Sequence, residues 1–216
     1  MIGAGNRLSA QALRLSRGSR LLFADLSWNL RAGEALVLRG ANGSGKTSLL
    51  RVLAGLTAAD AGEVRWNDQR WTPLCPSQRA ASIYLGHNNA LKDELTTLEN
   101  LDAAVAFDGV NVTSAAMRDL TCDALDAAGL AGCHHLHARR LSQGQKRRVG
   151  LARLSLSTKP LWLLDEPTNA LDAEGVSFFS AILERHLARG SVACVATHLP
   201  LDIAAPVQEV TLVGAA

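Results

Sequence analysis

Eight consecutive residues, Gly40-Ala41-Asn42-Gly43-Ser44-Gly45-Lys46-Thr47, have the types and spacing to hold the phosphates of a nucleoside triphosphate. The glycines let the backbone curl so that successive N–H groups point inward at phosphate oxygens. Lys46 is placed to reach the β- and γ-phosphates, and the Thr47 hydroxyl to ligate Mg²⁺. A carboxylate pair, Asp165-Glu166, can complete the chemistry. Asp165 can orient the metal directly or through water, and Glu166 can polarise an attacking water as general base. Alone, such a pair is as readily a surface feature; behind a Gly-x4-Gly-Lys-Thr loop, chemistry is the better reading. A third stretch, Leu141-Ser142-Gln143-Gly144-Gln145, puts a capping serine ahead of a helix read over residues 145–156, with Gly144 allowing close approach of a ligand. That is a second phosphate-directed helix start, about a hundred residues from the first. One nucleotide does not need both within one chain. A two-fold dimer does, if each chain offers this helix to the nucleotide held by the other.

These groups need elements to position them. The apolar run Ala35-Leu36-Val37-Leu38 precedes the glycine loop and residues 48–54 are helix-compatible, which is the strand–loop–helix context a phosphate loop requires. Strands are expected over residues 8–15 and 21–30 with a turn at 16–19, over 63–66 after a turn at 60–62, and over 82–86. Residues through Asn6 read as loose. Thr96-Thr97-Leu98-Glu99 fits a capping box opening a helix through Phe107, and residues 114–128 have helical spacing capped by Gly129. Leu161-Trp162-Leu163-Leu164 leads apolar into the carboxylate pair. A helix over 173–189 stops at Gly190, and strands follow at 192–197 and 207–213. Strands alternating with helices around a phosphate loop imply an α/β fold with a largely parallel sheet. An N-terminal antiparallel β part and an inserted helical subdomain at about 88–158 complete a single domain over residues 1–216.

Composition narrows the class. The chain has 216 residues, enough for one α/β domain with a sizeable core and short for two. Its formal net charge of +2 gives no field that would mark nucleic acid as a partner. Arg139-Arg140 and Lys146-Arg147-Arg148 read as solvated helix faces. Cys75, Cys122, Cys133 and Cys194 form no C-x-x-C pair and read as reduced thiols. No apolar run reaches the length of a membrane span and the N-terminus lacks a signal-peptide core, so attachment to a bilayer would run through a membrane partner.

Taken together, Gly-Ala-Asn-Gly-Ser-Gly-Lys-Thr, Leu-Ser-Gln-Gly-Gln, Leu-Leu-Asp-Glu-Pro-Thr-Asn-Ala-Leu-Asp and Thr-His resemble an ATP-binding-cassette (ABC) ATPase over almost the whole chain. The resemblance implies ATP binding by Gly40 to Thr47 and Ser48, and a Mg²⁺ site at Thr47 and Asp165. It implies hydrolysis by Lys46, Glu166 and His198, with His198 contacting the γ-phosphate and holding the attacking water. It further implies that Ser142, Gln143, Gly144 and Gln145 act in trans, and that Asp172 belongs to the loop linking the two sites. Three positions depart from the family pattern. His87 stands where most members have glutamine, Gln143 where glycine is usual, and Arg17 where an aromatic commonly stacks on adenine; the Arg17 guanidinium could stack instead.

Residues 84–87, Leu91-Lys92 and 94–101 are similar to the haem-exporter ATPases of bacterial cytochrome c maturation. That subfamily implies membrane permease partners, a peripheral place on the cytoplasmic face of the inner membrane, and release of haem-loaded chaperone on the periplasmic side. The loop from His87 to Thr96 is the candidate coupling surface. Rival readings are an ABC exporter ATPase for another cargo, a soluble ABC-type ATPase of iron–sulfur assembly or one associated with nucleic acid, and a nucleotide-binding scaffold without turnover. The intact Lys46, Glu166 and His198 argue against the last. Cys133-His134-His135-Leu136-His137 matches no structural zinc spacing and reads as a polar loop. Trp28, Trp66, Trp71 and Trp162 read as packing.

Overall fold

A computed structural model describes residues 5–73, 75–109 and 113–213. The expected loose start falls mostly on residues 1–4, outside the described residues. The chain divides into two compact units, one running up to Gly86 with Lys159–Glu166 and the chain from Leu183, the other His87–Thr158 with Pro167–Ile182.

The first unit holds both sheets. One is antiparallel, in the order β2-β1-β4-β5, from β1 (Arg7–Arg17), β2 (Arg20–Arg31), β4 (Ala61–Trp66) and β5 (Gln69–Trp71). The expected four-residue turn at 16–19 contracts to Gly18-Ser19, and Arg17 pairs with Arg20. Gly18 has φ +60, which suits the twist of a two-residue hairpin, so both strands run further than their apolar residues suggest. The other sheet is wholly parallel, in the order β6-β7-β8-β3-β9. Its strands are β3 (Ala35–Arg39), β6 (Ser82–Leu85), β7 (Leu161–Asp165), β8 (Val192–Ala196) and β9 (Val207–Thr211). Every residue of β7 and β8 is buried, as a strand covered on both faces requires. β9 stops at Thr211, two residues short of expectation. Residues 69–71 and the short helix α2 (Pro76–Ala81) were not expected as elements; three and six residues are too few for a periodic signal.

Helix α1 (Lys46–Leu53) follows the phosphate loop directly, and α6 (Ala173–Ala188) runs toward β8. The four tryptophans are buried, Trp66 stacking on Trp71 and Trp162 on His186. His186 lies 3.2 Å from the Val192 carbonyl through Nε2, and burial pushes its imidazole down to about 4.

The second unit is helical. Its core joins α3 (Thr97–Phe107), α4 (Ser114–Ala127) and α5 (Gln143–Leu156) through Leu98, Leu101, Val105, Leu125 and Val149. Thr96 caps α3 in a complete capping box with Glu99. α5 starts two residues earlier than expected. Ser142 Oγ accepts the Gln145 N–H at 3.2 Å while Gln145 Oε1 accepts the Ser142 N–H at 2.8 Å, so Gln145 is the third residue of the helix rather than its first.

One reading of charge is overturned. Arg139 and Arg140 are exposed, but Arg147 and Arg148 are only 3% and 8% exposed. Each guanidinium is buried against oxygen acceptors, which offset the cost of removing it from water. Arg148 donates to the Ala128 carbonyl and to Asp172; Arg147 donates to the Pro167 carbonyl and to Asn89.

Candidate active site

The phosphate loop takes its shape from two glycines in particular. Gly45 caps α1 at φ +108, and a Cβ there would press on Leu22 at 3.2 Å and Phe23 at 3.4 Å. Gly40, at φ +137, would meet the Leu212 carbonyl and the Ser44 side chain. A left-handed backbone with no room for a side chain is a position only glycine fills. Inside the loop Ser44 is 3% exposed, and its hydroxyl has no hydrogen-bond partner among the described residues.

Lys46 opens α1 yet is only 7% exposed. Its Nζ donates to the Gly40 carbonyl at 2.7 Å and the Ala41 carbonyl at 3.3 Å, and lies 3.3 Å from His198 Nε2. Thr47 Oγ1 donates to Asp165 Oδ2 at 2.8 Å. Asp165 is the last residue of β7 and 2% exposed, so the strand end delivers a buried carboxylate to the start of α1. Thr47 and Asp165 thus present two hard oxygens side by side, a donor set that suits Mg²⁺.

Glu166 lies beyond the strand, at φ +48, with its N–H bonded to the Ala196 carbonyl at 2.8 Å. A non-glycine residue held there stores backbone strain, and such strain concentrates at functional sites. The turn brings Glu166 Oε1 within 3.1 Å of His198 Nε2, which also lies 3.1 Å from Asn42 Oδ1. His198 therefore touches the phosphate loop, its lysine and the Glu166 carboxylate through one ring nitrogen. A protonated Nε2 donates to Glu166 and Asn42; a bare Nε2 accepts from Lys46. Sequence reasoning assigned Asn42 to the phosphate loop but not its contact with His198, from which 156 residues separate it.

Other expected site residues belong to the second unit and are built differently. Ser142 and Gln143 are exposed at the start of α5, with Gly144 and Gln145 half-buried behind them. A Cβ on Gly144 would lie 2.5 Å from the Ala170 carbonyl, so this glycine is required by a neighbouring backbone, whatever approaches from outside. Ala170 is itself at φ +63. Asp172 accepts from the Gly175 N–H at 2.9 Å and from Arg148. The Gly175 N–H first, then the Arg148 guanidinium, hold its carboxyl below the usual aspartate range. His87 and Arg17 are exposed. The 133–137 stretch is engaged locally: His134 pairs with Asp126 at 2.7 Å, His137 meets the Glu94 carbonyl at 2.9 Å, and Gln145 donates to the Cys133 thiol at 3.5 Å. Among the described residues no cluster of His, Cys, Asp and Glu is arranged to hold a metal ion.

Solved structures place this architecture. An ATP-binding protein of an ABC transporter from Pyrococcus furiosus superposes with a TM-score of 0.80 at 21% identity, covering 95% of this chain and 97% of that one. The ATP-binding cassette MJ0796, in a dimeric post-hydrolysis state bound to ADP and Pi, superposes with a TM-score of 0.78 at 23% identity, covering 89% and 88%. The fold is that of an ABC ATPase. The ABC transporter family model matches residues 23–169, and the chain belongs to that family. It is 48% identical to the cytochrome c biogenesis ATP-binding export protein CcmA of Dechloromonas aromatica, over 92% of this chain and 95% of that protein. The identity to CcmA of Rhizobium johnstonii is 47%, over 91% and 90%.

Proposed function

We propose that this chain is the ATP-hydrolysing subunit of an ABC export complex serving cytochrome c biogenesis. The observation that carries the hydrolytic part is the contact set of Lys46, Thr47, Asp165, Glu166, Asn42 and His198 at one end of the parallel sheet. Near-50% identity to CcmA proteins over almost their full length supports the biological assignment.

In this reading the N–H groups of Gly40 to Thr47 and the Ser44 hydroxyl bind the phosphates, Ser48 lies on the same helix start, and Arg17 flanks the base. Lys46 exchanges its loop carbonyls for β- and γ-phosphate oxygens. Thr47 and Asp165 would hold Mg²⁺, which when bound supplies positive charge against the phosphate oxygens. Glu166 accepts a proton from the attacking water as its oxygen bonds to the γ-phosphorus, and the bond to the bridging oxygen breaks to release ADP. His198 orients that water and contacts the transferring group.

Ser142, Gln143, Gly144 and Gln145 serve the nucleotide of a second copy, with Asp172 in the loop between the two sites. The exposure of Ser142 and Gln143 at a helix start supports this, since a helix N-terminus offers unpaired N–H groups to an anion. Among the described residues no helix is long and apolar enough to cross a membrane. Attachment to the inner membrane would therefore run through permease subunits, with the His87–Thr96 loop as the coupling surface and the haem chaperone served indirectly. The test is covalent haem on c-type cytochromes in cells whose sole copy carries Lys46→Ala. Loss of haem attachment with b-type cytochromes intact is expected. Normal c-type cytochromes alongside an inactive mutant protein would overturn the assignment.

A further inference from the structure

Arg147 is buried at 3% exposure, and the hydrolytic chemistry does not use it. Its guanidinium makes at least two bonds within the second unit. Nε donates to the Pro167 carbonyl at 3.1 Å and Nη1 to Asn89 Oδ1 at 3.1 Å. Pro167 is the residue after Glu166, whose φ of +48 marks a strained turn. Asn89 lies two residues beyond His87, in the loop between β6 and α3. One planar side chain therefore bridges the peptide that follows the general base and the loop that leads away from the sheet.

The rest of that loop is fastened to the same helix, to the segment before it and to α3. Lys146 Nζ reaches Asp93 at 3.1 Å, the Ala138 N–H donates to the Leu95 carbonyl at 2.9 Å, and Asn100 brackets Lys92 through its N–H and carbonyl. A loop pinned along its length moves as a body, and a pin that also grips the Pro167 carbonyl ties that movement to the turn at Glu166. The fixed fork of arginine suits this task, since one rigid group satisfies two acceptors in different segments.

We infer that Arg147 is a positioning residue that passes the state of the turn after Glu166 to the His87–Thr96 loop, so that bound nucleotide is read out on that loop. The inference rests on the nucleotide-site reading above. The test is amide hydrogen exchange of peptides within residues 88–96 of the full chain, with no nucleotide, with Mg-ADP and with a non-hydrolysable Mg-ATP analogue. In the wild type, exchange is expected to differ at least three-fold between the two nucleotide states. In Arg147→Gln that difference disappears, while affinity for the analogue stays within two-fold. Asn89→Ala cuts the same link from a half-buried loop position, which guards against a folding defect in the arginine variant, and is expected to give the same result. A nucleotide-dependent difference surviving in both variants overturns the inference and leaves the site reading intact. A wild type that binds the analogue without any change in the loop overturns it too. A wild type that binds no nucleotide sinks the site reading, and the inference with it.

Discussion

The two regions that carry the expected site residues are built on opposite plans. At the sheet end, Lys46, Thr47, Asp165, Glu166 and His198 already contact one another, brought together by the fold of the first unit. At the start of α5, Ser142 and Gln143 face solvent, and the buried polar groups nearby, Arg147 and Arg148, are spent on holding loops in place. In the proposed reading, one region is a preorganised reaction centre. The other presents two exposed residues at a capped helix start. The contrast fits the proposal that the second region serves something outside its own unit.

The largest effects that could break this contrast lie in the reaction centre. Lys46→Ala and Glu166→Gln should each lower hydrolysis by about a hundred- to a thousand-fold, measured as phosphate release at saturating ATP. Less than about ten-fold for either would mean the centre is not the one described. A stability probe comes next. His186 is buried as the neutral ring, so between pH 6.5 and about 4 the unfolded chain binds a proton that the folded chain does not. Stability then rises with pH across that window, and on acidification this one group should cost about 3 kcal/mol, the loss complete below about pH 4. Urea denaturation at stepped pH should show the slope, and His186→Phe should flatten it; an unchanged slope would refute the account of that residue.

Smaller effects sharpen the second region. Arg148→Met removes the donor to Asp172 and to the Ala128 carbonyl and should destabilise the chain by about 2 kcal/mol, as expected for a lost charged hydrogen-bond partner. Nucleotide affinity, set in the other unit, should stay within two-fold. An affinity loss as large as that of Lys46→Ala would collapse the distinction between the two plans. Smallest is Thr96→Ala, which breaks the capping box of α3 and should cost about 1 kcal/mol in denaturation with no change in hydrolysis.

How much was legible in advance follows the same division. The phosphate loop, the strand-end carboxylates, the capping box at Thr96 and the capping serine at 142 are local patterns, where types and spacing within a few residues decide the structure. The contact of His198 with Asn42 and Lys46 joins residues more than 150 positions apart, and no local spacing encodes it. The strained turn at Glu166 was likewise hidden, because glutamate has no preference for a positive φ that could announce it. Arg147 and Arg148 were misjudged because consecutive charges ordinarily mark a solvated face. Their burial depends on acceptors brought from Asn89, Ala128, Pro167 and Asp172, which only the folded chain assembles. Short elements such as β5 and α2 carry too few residues to show a period.

The central claim is that the reaction centre of one copy is completed by Ser142 of another. Sedimentation of Glu166→Gln with saturating Mg-ATP tests it most directly, because that variant is expected to bind ATP and to consume it only slowly. The account predicts a dimer that reverts to monomer when Ser142→Arg is added. A monomer throughout, or a dimer indifferent to Ser142→Arg, would contradict it.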